Sequence, residues 1–350
     1  MDTFNISEQI IDDIVRVLLF GFLGFAFAMV LTPIYTHFAY KYEWWKKQST
    51  STLDGKTATV FSKLHAAKHR RHIPTMAGLV MLFSITTVTT LLNLSREQTY
   101  LPLVAFLGAG LIGLIDDAFP IIGKGDKKNA GLGARQKLFM ITIVAVLGGV
   151  FFYFKLGYNS IFIPFINGGG EWAIGVLLVP LFALVVVATA NAVNITDGLD
   201  GLAGGLAMFA YSAFGSIAFL QGNYGIAGFC MTVVGALLSY TWFNIYPARF
   251  FMGDVGSFAL GTGLGVVAML TDTLVLLPVI GAVFVFETGT VIIQQLSKKF
   301  RGKKIFLSTP IHHHFEAIGW PEAKVTMRFW VIGLVTGVLG IVLALLGGHV

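Results

Sequence analysis

Runs of apolar residues close to twenty long recur through this 350-residue chain, separated by short polar breaks. Such a run spans hydrocarbon as a helix. There every backbone amide must find its partner within its own segment. Ten segments qualify, at about 14–36, 75–95, 100–115, 138–157, 174–191, 202–220, 224–243, 256–271, 273–296 and 327–347. Two separators are brief, Gln221-Gly-Asn223 and Thr271-Asp-Thr273. The reading is an all-α polytopic membrane protein of about ten transmembrane helices, a single integral membrane domain over 1–350. Hydrophobic residues at 55%, charged residues at 12% and a mean hydropathy of +0.78 describe lipid-facing surface, not the coat of a soluble protein. The polar start, Met1–Asp13, lacks the basic head of a signal peptide, so the first segment is expected to be retained.

Positive charge sets the expected orientation. Of the 24 Lys and Arg, all but Arg16, Arg96 and Lys155 fall in or beside five loops, at about 37–74, 116–137, 191–201, 244–256 and 297–326. Ten crossings put these loops on one side, which is cytoplasmic by the positive-inside rule, and leave both termini periplasmic. The net charge of +6 suits anionic headgroups or a phosphorylated substrate, and nothing points to nucleic acid. Cys230 is the single cysteine, which excludes an internal disulfide and a cysteine zinc site.

The same loops carry acidic and histidine residues at the ends of apolar runs, where a charge costs at least ~2.5 kcal/mol to bring toward hydrocarbon. Asn194, Asp197 and Asp200 recur every third residue, which places an amide and two carboxylates on one side of a helical turn, and Asn191 extends the row. Gly198 and Gly201 let a ligand approach the backbone. Asp116-Asp117 closes the third run. Adjacent carboxylates diverge on a helix, so one faces a site and the other a lysine or a helix end. Asp254, between Gly253 and Gly256, suits a phosphate bridged by Mg²⁺, which takes few carboxylates plus phosphate oxygens. Phe251 offers a face for a flat base. His312-His313-His314 point three ways on any regular backbone, a poor zinc triad but a fair set of donors to phosphate or sugar. A single face bearing all four stretches suits chemistry between a soluble substrate and a lipid. A carrier would hold its ionisable groups near mid-membrane.

Together, Asn191–Ala203, Phe251–Ser257, Asp116-Asp117, Gly131–Lys137, Pro310–Glu316, Gly319-Trp320 and Arg328-Phe-Trp330 resemble the phospho-MurNAc-pentapeptide transferases, or translocase I, within the polyprenyl-phosphate hexosamine-1-phosphate transferases. That resemblance implies a ten-helix fold, Mg²⁺ and a bacterial inner-membrane location, and it admits a homodimer. It also implies transfer of phospho-MurNAc-pentapeptide from UDP-MurNAc-pentapeptide to undecaprenyl phosphate, giving lipid I and UMP in peptidoglycan biosynthesis. By motif, Asp116, Asp117, Asp197, Asp254 and His312 are catalytic, with Asp254 the metal ligand and Asp116 the candidate base. Gly198, Leu199, Asp200 and Phe251 resemble the uridine pocket. Substrate contacts are also expected from Arg70, Thr75, Lys137, Asn194, Asn244, His313 and His314, and from Glu287 and Gln294 in the ninth run. Direct attack and a two-step route through an aspartyl-phosphate both fit these residues.

Three positions depart from the family pattern. Ala77 follows Pro-Thr-Met where the family has glycine, Arg70 stands for a lysine, and Pro120 replaces the lysine three residues after the Asp pair, leaving Lys124, Lys127 or Lys137 to meet a phosphate. The alternatives are a sister transferase using UDP-GlcNAc or another UDP-hexosamine, a cation-coupled carrier, and a non-catalytic lipid-binding protein.

Overall fold

A computed structural model describes residues 8–45, 72–122, 131–165, 169–348 and 350. Arg70, Lys124 and Lys127 lie outside these residues. Among the described residues twelve α-helices follow in chain order: Glu8–Lys41 (α1), Gly78–Leu92 (α2), Tyr100–Ile122 (α3), Ala134–Phe154 (α4), Leu178–Thr196 (α5), Leu202–Leu220 (α6), Tyr224–Asn244 (α7), Gly253–Leu270 (α8), Leu277–Ile280 (α9), Ala282–Arg301 (α10), Ile311–Ala317 (α11) and Glu322–Leu346 (α12). A two-stranded antiparallel hairpin, Ser160–Ile163 with Gly170–Ala173, pairs Ser160 with Ala173. Asp272 Oδ1 accepts the Phe162 amide at 3.0 Å, pinning the hairpin to the turn after α8.

Each of the ten expected apolar runs contains a helix. Among the described residues, eight helices are long and apolar enough to cross a membrane, and a bent pair would make a ninth. Helix α2 has 15 residues, about 22 Å of rise, because it starts at Gly78 and not at 75. The backbone before it is engaged elsewhere: the Phe251 amide donates to Pro74 O at 2.8 Å, and the Ala77 and Gly78 amides donate to Phe251 O and Met252 O, both at 2.9 Å. The run expected at 273–296 is not one straight helix. It breaks at Gly281, and Ala282–Arg301 departs from Leu274–Ile280 at 82°.

Helix α8 is the axis of the fold, with every residue from Val255 to Leu270 buried. It packs on α3 where Gly113 faces the main chain of Asp254 and Val255; a Cβ at 113 would collide with both. That glycine lets two main chains touch beside the carboxylates. The outward faces of α1, α4 and α12 leave Phe22, Leu147 and Val331 exposed, as a lipid-facing surface does.

Candidate active site

The Asp pair lies within α3, which continues for a further turn to Ile122, and its two carboxylates diverge as adjacent helical positions must. Asp116 Oδ1 accepts the Leu132 amide at 2.7 Å, and its Oδ2 meets Lys137 Nζ at 3.2 Å. Asp117 is fully buried and its Oδ2 accepts the Val255 amide, in the first turn of α8, at 3.2 Å. A carboxylate is favoured there, where first-turn amides lack helical partners.

Asp254 occupies that same first turn. Its Oδ2 receives Lys137 Nζ at 2.9 Å and its Oδ1 receives Asn194 Nδ2 at 3.1 Å. The Asn194 amide also reaches Ser257 Oγ at 2.9 Å. Ser257, one helical turn beyond Asp254, had no role in the sequence reading beyond its place in the motif. Gly253 carries φ of 70°, a left-handed value that suits glycine, and a Cβ there would collide with the Asp117 carboxylate and press on the Thr75 hydroxyl. Thr75 is set from three sides: its amide donates to Trp44 O at 2.7 Å, its carbonyl accepts Tyr35 Oη at 2.6 Å, and its hydroxyl lies beside Gly253.

Asp116, Asp117 and Asp254 each place an oxygen within 4.8 Å of the others, a spacing that could hold a metal ion. The donors are hard oxygens, the kind Mg²⁺ takes. Among the described residues one ammonium meets these three carboxylates, and the oxygen donor set fits a divalent cation.

The Asn–Asp row holds for part of its expected length. Asn194 is in α5, Asp197 caps the end of that helix, and the chain then turns. Asp200 is therefore directed elsewhere: its Oδ2 accepts the Ala248 amide at 2.9 Å. Asn244, also buried, accepts the Gly201 amide at 2.8 Å and donates to Phe250 O at 2.7 Å. The turn containing Gly198, Leu199 and Asp200 is thereby joined to the loop before Phe251, which is half-buried.

The three histidines lie on a seven-residue helix, α11, not in a solvated loop, and they do point three ways. His312 and Glu287 are both fully buried, with Nδ1 and Oε2 2.8 Å apart. The ring of His312 lies over Gly198, where a Cβ would collide with Nε2. His313 pairs with Glu316 at 2.7 Å, and the Leu307 amide donates to His314 Nδ1 at 3.3 Å. Gln294 accepts the Ile305 and Phe306 amides at 2.9 and 3.1 Å and donates to Phe306 O, so in this state it braces the loop after α10.

This is a polytopic helical chain with an acidic cluster at the end of a buried helix, and residues 99–272 match the model of glycosyl transferase family 4, which sets its class as a transferase. It is 39% identical over 328 residues to the phospho-N-acetylmuramoyl-pentapeptide-transferase of Geobacillus sp. (strain WCH70), covering 91% of this chain and 95% of that one. The Geobacillus thermodenitrificans protein of the same name is 45% identical over 275 residues, 77% of this chain and 82% of its own. That of Chloroflexus aggregans is 36% identical over 353 residues, covering 97% and 92%. The chain belongs to the phospho-N-acetylmuramoyl-pentapeptide-transferase family.

Proposed function

We propose that this protein transfers phospho-MurNAc-pentapeptide from UDP-MurNAc-pentapeptide to undecaprenyl phosphate, giving lipid I and UMP for peptidoglycan biosynthesis. The observation that carries this reading is the meeting of Asp116, Asp117 and Asp254, with Lys137 bridging Asp116 and Asp254, beside Asn194, which stands four residues before the Gly198–Gly201 turn. On this reading the acidic end faces the cytoplasm of a bacterial inner membrane, the chain crosses it ten times with both termini periplasmic, and a homodimer is compatible.

An oxygen of the lipid phosphate attacks the β-phosphorus of the donor. The bond from that phosphorus to the oxygen bridging it to the α-phosphorus breaks, and UMP leaves. A phosphate monoester is largely ionised near pH 7, its second pKa being about 6, so no strong base is required and direct attack is favoured over an aspartyl-phosphate. Asp116, Asp117 and Asp254 would hold Mg²⁺, which when bound neutralises charge on the diphosphate. Lys137 holds Asp116 and Asp254 together and supplies the cation nearest the reacting phosphates, a role in which it replaces the lysine missing at Pro120. The buried Glu287 fixes the His312 ring against Gly198, so that His312 to His314 present donors to the diphosphate or sugar. Gly198, Leu199, Asp200, Asn244 and Phe251 form the uridine end. Positioning and electrostatics supply most of the acceleration in such transfers.

The test is UMP release from purified protein with undecaprenyl phosphate and Mg²⁺, run in parallel with UDP-MurNAc-pentapeptide and UDP-GlcNAc. Lipid product from the first donor is expected. Product from UDP-GlcNAc alone overturns the donor assignment, and ion-dependent flux in liposomes with no UMP from either donor overturns the transferase reading.

A further inference from the structure

Asp200 and Gly201 are turn residues with four main-chain polar groups between them, and four side chains from two other helices bond to all four. The Asp200 amide donates to Glu322 Oε1 at 2.7 Å, and Asp200 O accepts Thr326 Oγ1 at 3.2 Å. Gly201 O accepts Trp330 Nε1 at 3.0 Å, and the Gly201 amide donates to Asn244 Oδ1 at 2.8 Å. Three of these four side chains, Glu322, Thr326 and Trp330, come from α12 at intervals of four residues. They therefore line one face of that helix.

The fit is shaped as well as bonded. Gly201 takes φ of 77°, and at Gly205, one turn into α6, a Cβ would collide with the indole of Trp330. The short helix α11, four residues before α12, lays His312 over Gly198 of the same turn. Helices α11 and α12 thus straddle residues 198–201 from two directions, and Asn244 and Asp200 carry the constraint on to the loop before Phe251.

We infer that Glu322, Thr326 and Trp330 are positioning residues that set the uridine end of the donor site by fixing the main chain of Asp200 and Gly201. The inference rests on the donor reading above, which places the nucleotide at that turn. None of the three needs to touch the nucleotide. They hold the backbone that does, so their loss is felt in donor binding more than in the transfer step, and not in binding of the lipid acceptor.

The experiment measures kcat and the two KM values for Thr326→Val, Trp330→Phe, Glu322→Ala and Glu322→Gln in detergent, together with amide hydrogen exchange of the peptide spanning 197–203. A neutral hydrogen bond is worth on the order of 1 kcal/mol, so Thr326→Val and Trp330→Phe are each expected to raise donor KM roughly 3- to 10-fold, with acceptor KM and kcat within about twofold. Glu322→Ala is expected to do the same or more, while Glu322→Gln, which keeps an acceptor oxygen, stays near wild type. Exchange at the Asp200 and Gly201 amides rises in the variants that raise KM. Should Trp330→Phe not fold, Thr326→Val, its nearly isosteric counterpart, makes the same comparison. Unchanged donor KM in folded, active variants overturns the inference, and so does a parallel rise in acceptor KM. Wild-type protein that releases no UMP from UDP-MurNAc-pentapeptide overturns the function instead, and the exchange rates then decide whether α12 holds the turn.

Discussion

Lys137 Nζ stands 2.9 Å from Asp254 Oδ2, joining two residues 117 apart in the chain, and the same ammonium reaches Asp116 Oδ2 at 3.2 Å. Among the described residues, it is the cation seen to pair with this three-carboxylate cluster. A lysine so placed both supports the cluster and competes with a metal for it.

Lys137→Met is therefore expected to lower UMP release by ~100-fold or more, the scale of losing one fixed electrostatic contact to a reacting phosphate. Without divalent cations the variant loses about 1 to 3 kcal/mol of stability, since like charges remain where only part of the cluster is exposed to solvent. Added Mg²⁺ should raise its Tm more than it raises the wild-type Tm. Equal metal-induced shifts in the two proteins would count against competition at this site.

Asp254→Asn keeps the oxygen that accepts from Asn194 and removes a charge from the cluster. The expected result is a protein that folds in detergent with wild-type Tm to within a few degrees and has lost ~1000-fold or more of its Mg²⁺-dependent turnover. Retained turnover would move the metal to other residues.

Glu287 and His312 are buried together at 2.8 Å, so their contributions should not add. In a double-mutant cycle of Glu287→Ala and His312→Ala, read by UMP release, the coupling is expected to be about 1 to 3 kcal/mol. Glu287→Gln, which retains volume and an oxygen toward Nδ1, should recover part of the loss. Strict additivity would separate the two residues.

Pro120 falls four residues after Asp116 inside α3 and withholds the amide that a regular helix directs at that residue's carbonyl. Pro120→Lys restores the amide and adds a cation near the cluster. Activity between wild-type and a few-fold higher is expected in the UMP assay, whereas complete inactivation would show that the turn has been rebuilt around proline.

The spans were readable because length and hydropathy act locally. Their exceptions arise from contacts that local pattern does not carry. Nothing in the run at 75–95 reveals that its first residues give their amides to the carbonyls of Phe251 and Met252, and the unbroken apolar run at 273–296 hides the bend at Gly281. At the site, residue types were visible in the motifs, whereas directions were not. The threefold spacing to Asp200 assumed a helix that in fact ends at Thr196, so Asp200 turns to the Ala248 amide. Lys137 was one of three lysines offered in place of Pro120, and its position between Asp116 and Asp254 depends on how α4 lies against α3 and α8. Ser257 and Glu322 carry no chemistry that spacing alone would single out.

The main-chain pairing of residues 74–78 with residues 251–252 also bears on the order in which the protein is made. As the chain emerges, Asp116 and Asp117 are synthesised well before the first-turn amide of α8 that Asp117 uses, 138 residues later. Until residues 251–255 arrive, Asp117 lacks that amide, and the Pro74 carbonyl and the Ala77 and Gly78 amides lack their partners. The carboxylate cluster is thus completed late in biogenesis, and a chain halted before α8 would hold Asp116 and Asp117 without Asp254. Main-chain bonds are also indifferent to the side chain at Ala77, so a glycine in its place would make the same bonds to Phe251.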